Sequence, residues 1–414
     1  MMEIKLIELV MFIFVILYSP RLVCWFASIR TQKRLYNLKN NKLALMIPAR
    51  NEGKTIIPLL QSIKDQTYSN KNFEVFIIVK DSKDPVIEYA KMVNAKIYID
   101  PTQTSKGDCL DYCIQHILRD YPNVFDGYVL VDADCVLDKN FMLEMNNALA
   151  SGADVINAKK LVKNYLPKFR DSLNLIAASN GLIWTLMDDM GNRFKSDHGL
   201  TTMTITTGIM FSKKLVEKWG GWNYRQTLTE DMELQRDCAL QGYKTFYYSH
   251  AKFYMEESPS LKVTNTRRNR WMHGLTNSDF IYGSRLLHKH DSYSLINNYY
   301  MFCLWLVYVF EGFLLLNVFG NLGIAGYAFL TDSGTMMDYL YVAGFAFLGI
   351  YFSFFVLTLV AILVDWDNIK LTLFNKLLLL FFHPIFYMGY LKIEAHAIFS
   401  KKPLEWEEIE RVEI

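Results

Sequence analysis

Apolar positions along this chain follow three patterns. Near the N-terminus they run almost unbroken: residues 6–28 contain LVMFIFVILY, then Ser19-Pro20-Arg21, then LVCWFA. That length matches the ~20 residues needed to cross a bilayer, and YSPRLVCWF offers no small-residue cleavage site, so an uncleaved helix is expected over 1–30 rather than a signal peptide. From about residue 42 to 283 the apolar runs become short. KLALMIP, NFEVFIIV, AKIYID and GYVLVDAD read as strands, while NEGKTIIPLLQSIKDQTY and KGDCLDYCIQHILRDY have the three- and four-residue spacing of helices. Strand and helix in alternation predict a mostly parallel α/β sheet covered on both faces. In such sheets ligands bind beyond the carboxyl ends of the strands.

Long apolar runs return near Asn298. The run from Tyr299 to Leu330 is long for one span and short for two, so a tilt or a break at the Gly320–Gly326 cluster is expected. Residues 339–364 form a cleaner span. The stretch 371–399 is interrupted by Lys376, His383-Pro384 and Lys392, and reads either as a span or as a broken interfacial hairpin. Glu311 lies within an apolar run, where a carboxylate marks either a functional group or an interhelical bond. Arg30, Lys33, Arg34, Lys39 and Lys42 follow the first span, and Lys401 and Lys402 the last. The positive-inside rule therefore places the central region 42–283 and the tail 401–414 in the cytoplasm, with interfacial and membrane helices over 284–400.

Composition sharpens this picture. The chain is 51% apolar and 15% aromatic, with a net charge of +2. No strong field points to nucleic acid. The six cysteines are scattered and form no CxxC pair. Cys109, Cys113 and His116 are best explained by packing on a helix, and a reducing setting suits the middle of the chain.

The chemistry-bearing residues stand just after the strands. One strand ends in Pro48-Ala49-Arg50-Asn51-Glu52, another in Lys80-Asp81-Ser82, a third in Asp132-Ala133-Asp134. Two carboxylates two residues apart at a strand end can share one small hard cation, Mg2+ or Mn2+, which bridges a diphosphate. A turn with Asx caps would use the same residues. Glu230 and Asp231 open a helix that ends before Gly242. Asp231 suits a base that deprotonates a hydroxyl, and capping by Thr229 is the plainer role for this stretch. Arg267, Arg268, Arg270 and Trp271 combine charge for a diphosphate with a face for a sugar. A basic patch on anionic lipid is the alternative, and the stretch 268–290 suits an interfacial helix.

Together these clusters resemble the inverting family 2 glycosyltransferases, in particular the membrane synthases related to cellulose, hyaluronan and poly-N-acetylglucosamine synthases. The resemblance rests on IPARNE at 47–52, KDS at 80–82, VDADC at 131–135, TTGIMF at 206–211, GGW at 220–222, TED at 229–231 and RRNRW at 267–271. It implies a GT-A, Rossmann-like domain flanked by transmembrane helices. It further implies a UDP-sugar donor bound by Pro48, Ala49, Arg50, Glu52, Asp81, Lys106 and Asp132, and a metal on Asp132 and Asp134. Catalysis falls to Asp231 with Glu230, and Arg267, Arg270, Trp271 and Gly208 hold the diphosphate and acceptor. The acceptor is a growing saccharide or a lipid-linked one. Arg267 stands where QxxRW has Gln, which weakens processive synthesis more than transfer itself. The absence of an FxVTxK-type gating loop argues against cellulose synthase. Single-sugar transfer to a lipid carrier and an inactive sugar-binding or export-scaffold subunit are the competing readings. A transporter is disfavoured, since the membrane part shows no paired repeats.

Overall fold

A computed structural model describes residues 22–166, 173–227, 229–288 and 312–399, with the isolated positions 12, 13, 16, 19 and 168. Glu311, Cys303, most of the first apolar run and the tail 401–414 lie outside the described residues. Eight strands are described: β1 (Leu43–Pro48), β2 (Phe73–Val79), β3 (Lys96–Ile99), β4 (Gly127–Leu130), β5 (Val136–Leu137), β6 (Val155–Val162), β7 (Ile209–Ser212) and β8 (Thr245–Met255). They form one sheet in the order β3-β2-β1-β4-β7-β6-β8-β5. Strands β1 to β4 are mutually parallel, as the alternation of runs predicts.

The helices that matter here are α1 (Ile57–Lys64), α2 (Lys106–Asp120), α3 (Phe141–Ala148), α4 (Leu175–Thr185), α5 (Glu230–Gln241), α6 (Leu261–Leu287), α7 (Gly312–Leu330), α8 (Met336–Val364) and α9 (Leu373–Phe399). On one face of the sheet, Leu59, Ile63, Phe141 and Met145 from α1 and α3 pack on Leu45, Ile77 and Val129. On the other, Leu110, Cys113 and Ile117 from α2 pack with Trp222 on Met46, Phe76 and Leu130. Covering both faces explains why the central strands are apolar at every position. Cys109 and Cys113 are buried, unbridged core residues.

The second half of the sheet is mixed. Strand β7 runs antiparallel to both β4 and β6, and β6 runs parallel to β8. Since β7 points opposite to β4, the residues that precede it, Thr206 and Thr207, stand at the rim where β4 ends. Strand β6 points the same way as β4, and its last residues extend past its pairing with β7, which stops at Asn157. The rim therefore gathers the ends of β1, β4, β6 and β8 and the start of β7.

The basic stretch after the first apolar run is fastened to this domain. Arg30 meets Asp197 at 3.1 Å, Lys39 meets Asp126 at 3.0 Å, Lys42 meets Glu74 at 2.7 Å, and Arg34 pairs with the buried Glu144. The three more exposed pairs each add little, but with the Arg34–Glu144 pair they make four along thirteen residues and set the path of the chain.

Helices α7, α8 and α9 are each long and apolar enough to cross a membrane. At two places one of two open alternatives falls away. No break occurs at Gly320–Gly326, because α7 runs through them; glycine weakens a helix by about 1 kcal/mol relative to alanine but does not end it. Nor is 371–399 a hairpin: α9 is continuous through His383-Pro384. Beside Pro384, which cannot donate, the Tyr351 hydroxyl of α8 donates to the Phe381 carbonyl at 3.0 Å. Helix α6 also differs from a purely interfacial element. Its Met272 and Leu275 pack on Phe386, Tyr390 and Ile393 of α9.

A buried ionic cluster joins the sheet to the apolar helices. On β6, Lys159 donates to Asp365 at the end of α8 at 2.7 Å and also pairs with Asp189, in a π-helical turn at Leu186–Met190. Arg193 meets Asp189 at 2.8 Å. The Tyr247 hydroxyl donates to Asp189 at 2.6 Å, and the Thr185 hydroxyl donates to Asp365 at 2.7 Å. Two cations thus face two carboxylates, with their remaining lone pairs occupied. Removing one member strands buried charge. Lys159→Met should lower unfolding free energy by about 3–5 kcal/mol, read by chemical denaturation of the detergent-solubilised protein; an unchanged midpoint would show the cluster to be dispensable.

Candidate active site

A cavity of about 1130 Å3 opens at the rim. Pro48, Ala49, Arg50, Asn51 and Glu52 enter it from the end of β1, and Asp132 and Asp134 from the end of β4. Thr206 and Thr207 reach it from the start of β7, and Glu230 and Asp231 from the start of α5. Lys106, Arg267, Arg270 and Trp271 complete this part of its wall.

Local structure explains these positions. Ser105 caps α2 in a reciprocal capping box with Asp108, which fixes Lys106 as the first residue of the helix. The Lys106 ammonium then lies 2.6 Å from Asp132 Oδ1 and 3.6 Å from Glu230 Oε1, and donates to the Thr206 carbonyl at 2.8 Å. Burial alone would favour loss of its proton, but Asp132 and Glu230 outweigh burial and hold its pKa above the ordinary lysine value. Thr206 Oγ1 donates to Glu230 Oε1 at 2.6 Å, and the Asp132 N–H donates to Thr207 Oγ1 at 3.0 Å. One lysine and two threonines thereby tie the end of β4 to the start of α5. Thr229 makes no side-chain cap, contrary to the capping role open to it. Its side chain instead packs where a Cβ on Gly274 would fall 2.2 Å from Thr229 Oγ1, so Gly274 lets α6 approach the loop that leads into Glu230 and Asp231.

The carboxylates are electrostatically strained. Burial, reinforced by Glu230, pushes Asp231 up to about 7, against the pull of Lys106 and the Met232 N–H. Burial also raises Asp132; Lys106 opposes this and Asp134 adds to it. On the opposite side, burial and then Arg267 lower the pKa of Arg270, while Glu230 and Asp231 support its charge.

Sequence reasoning passed over another group. Buried Lys160 lines the cavity, its ammonium 3.4 Å from the Trp184 ring centre. Burial lowers its pKa, and Asp188 and Glu257 oppose that. Trp184 stands edge-on to Trp271 at 5.4 Å and donates to Glu257 at 2.7 Å, and Glu257 also holds Arg267 at 3.0 Å. Two consecutive lysines inside the apolar run VINAKKLV were the available signal, since a buried charge needs a partner.

Two expected residues stand elsewhere. Asp81 is exposed and outside the cavity wall, where it accepts from the Lys83 N–H at 2.9 Å. The neighbouring Asp84 makes the cross-loop contact instead, accepting from the Asn51 N–H at 3.1 Å. Gly208 is also absent from the wall. Its φ of +62° and a would-be Cβ 2.1 Å from the Phe253 ring give it a backbone and packing task.

Asp132 and Asp134 form an all-oxygen donor pair. Among the described residues no group of three or more His, Cys, Asp or Glu suited to a metal occurs. Mg2+ commonly takes only one or two protein carboxylates and fills its remaining positions with phosphate and water. The pair therefore fits a hard divalent cation shared with a diphosphate.

The fold and this rim define an α/β domain with a charged cavity at the carboxyl ends of its parallel strands. The model for glycosyltransferase-like family 2 matches residues 40–274, more than half of the chain, and the chain belongs to that family. It is a glycosyltransferase. No curated protein sequence matches it. Among solved structures it is similar to the mannosyltransferase PcManGT from Pyrobaculum calidifontis in complex with GDP-Man and Mn2+. That match has a TM-score of 0.52 and 14% identity over 94% of this chain and 97% of that one. It is also similar to residues 1–349 of S. aureus TarS in complex with UDP-GlcNAc, with a TM-score of 0.41 and 14% identity over 86% and 91%.

The raised pKa of Asp231 has a stability consequence. Between about pH 4 and 7 the folded protein retains a proton that the unfolded chain has released, so this group withdraws stability as pH rises through that window. Asp231→Asn mimics the protonated form. It should raise Tm relative to wild type at pH 8 and leave it nearly unchanged at pH 4, measured by thermal unfolding at both values; an equal shift at both would remove the carboxyl from consideration.

Proposed function

We propose that this chain is an inverting, membrane-embedded glycosyltransferase that moves a sugar from a UDP-sugar to a saccharide or lipid-linked acceptor. The observation that carries the reading is the meeting of Asp132, Asp134, Glu230, Asp231 and Arg270, from three distant stretches of chain, around one cavity at the sheet rim. In this reading the donor lies along the ends of β1 and β4. Pro48, Ala49, Arg50 and Glu52 line the nucleotide's place. Asp132 and Asp134 hold Mg2+ or Mn2+, which when bound supplies charge neutralisation on the diphosphate.

Asp231 takes the proton from the acceptor hydroxyl. The acceptor oxygen forms its bond to the anomeric carbon from the face opposite the leaving group. The bond from that carbon to the phosphate oxygen breaks, and the diphosphate leaves with the electron pair. Arg270, with Lys106 and Lys160 nearby, meets the charge that develops there. Glu230 keeps Lys106 in place, and Trp271, set against Trp184, gives the acceptor sugar a flat face. The basic residues 30–42 place this domain on the cytoplasmic side, with the apolar helices as a multi-pass anchor.

Purified protein in nanodiscs, given a panel of UDP- and GDP-sugars with Mg2+ or Mn2+, should release free nucleoside diphosphate, and product size would separate single transfer from polymerisation. Release from no donor in the panel would defeat the proposal. Asp231→Asn should cut transfer by at least ~100-fold while nucleotide affinity stays near wild type. Asp134→Ala should abolish the metal dependence of donor binding, as should chelation by EDTA in the wild type. Metal dependence that survives in Asp134→Ala would count against the assigned ligand.

A further inference from the structure

The cavity does not stop at the charged rim. It continues between α4, α6, α8 and α9, where Ile183, Met187, Leu275, Phe354, Leu357 and His383 line it. All four helices also pack through apolar residues, α4, α8 and α9 in one cluster and α4, α6 and α9 in another. Helices α8 and α9 are two of the three with membrane-crossing length. This branch therefore runs from the proposed catalytic carboxylates toward the bilayer.

Its wall would be a poor lining for a sugar chain. Each glycan hydroxyl drawn into it would lose water and find methyl, thioether or ring carbon, at a cost of the order of a lost hydrogen bond. A hydrocarbon chain gains from the same wall. Thr358, Tyr387, Tyr390 and His383 interrupt the apolar surface; the Thr358 hydroxyl is spent on the Phe354 carbonyl at 2.6 Å. His383, 1% exposed, faces the cavity, and neither of its ring nitrogens has a hydrogen-bond partner among the described residues. Behind it Arg268 is stacked between Phe386 and Tyr390, at 4.0 and 3.6 Å from their ring centres, with its Nε likewise unpartnered among the described residues. A buried imidazole without a partner is an orphan that a ligand's oxygen would satisfy.

We infer that this branch binds the hydrocarbon tail of an amphiphilic acceptor, with His383 bonding to an oxygen near the junction of tail and head group. The inference rests on the glycosyltransferase reading and narrows its acceptor to a lipid-linked one. An apolar tail held here leaves the head group at the rim, where the acceptor hydroxyl meets Asp231.

The test uses the full chain in nanodiscs and a long-chain alkyl glycoside bearing a diazirine in its tail, with labelled residues mapped by mass spectrometry. Label is expected on Met187, Leu275 and Leu357. Phe345 and Phe352 are 74% and 64% exposed on the outer surface of α8 and report ordinary lipid contact. Leu357→Trp should cut the cavity label at least fivefold without changing label at the outer positions. His383→Phe, close in shape, should cut it about fivefold, the size of one lost hydrogen bond. Nucleoside diphosphate binding by both variants verifies that they fold. Label confined to Phe345 and Phe352, or cavity label unaffected by Leu357→Trp, would overturn the inference. Failure of the wild type to bind any nucleoside diphosphate while the cavity is labelled would instead strike the proposed function and leave the tail site standing.

Discussion

The arrangement depends on buried charge at Lys159. A lysine inside a sheet is tolerated only where carboxylates reach it, and the two that do come from outside the sheet: Asp189 from the π-helical turn and Asp365 from the end of α8. The sheet alone would hold an unpaired ammonium, and the helices alone would leave Asp365 with neutral partners only and Asp189 with Arg193 as its one cation. Each part completes the other, and the cavity is roofed because they meet. The next residue, Lys160, points into the cavity as a consequence of strand alternation. A single dipeptide on β6 therefore joins the domain to its apolar helices and contributes a cation to the rim.

At the rim itself, charge is nearly balanced. Asp132, Asp134, Glu230 and Asp231 face Lys106, Lys160, Arg267 and Arg270. The cations are not interchangeable. Lys106 is committed to Asp132 and Glu230, and Arg267 to Glu257. Arg270 is drawn only through space by several carboxylates at once. Arg270 and Lys160, which make no carboxylate ion pair among the described residues, are thus the cations left to meet an incoming anion, while the committed ones hold the frame.

Much of this was legible in the residues. Short Ile- and Val-rich runs located β1 to β4, and the polar clusters after them marked the rim, because a parallel sheet puts every such cluster at the same end. Local pattern could not reveal that β7 reverses direction, since strand sense is decided by the path of the intervening chain. It left α9 open between a span and a broken hairpin: Lys376 and Pro384 look like interruptions, yet the lysine ammonium reaches the Trp366 carbonyl at 2.9 Å and the helix continues past the proline. Asp81 and Gly208 were assigned by resemblance, which transfers a residue's place in a motif but not the orientation of its loop. Lys159 and Lys160 were visible as charges in an apolar run, but their partners lie about 30 and 200 residues away, beyond any periodicity.

Gly274 has one more implication. It sits on α6 against Thr229, the residue just before Glu230 and Asp231, with no room between them for even a methyl group. The same helix leans on α9 through Met272 and Leu275. A sideways shift of α9 would therefore be relayed through a backbone-to-side-chain contact that has no slack. With α8 and α9 in a bilayer, as proposed above, its thickness and lateral pressure become quantities to which the geometry of the carboxylates can respond, with α6 as the lever.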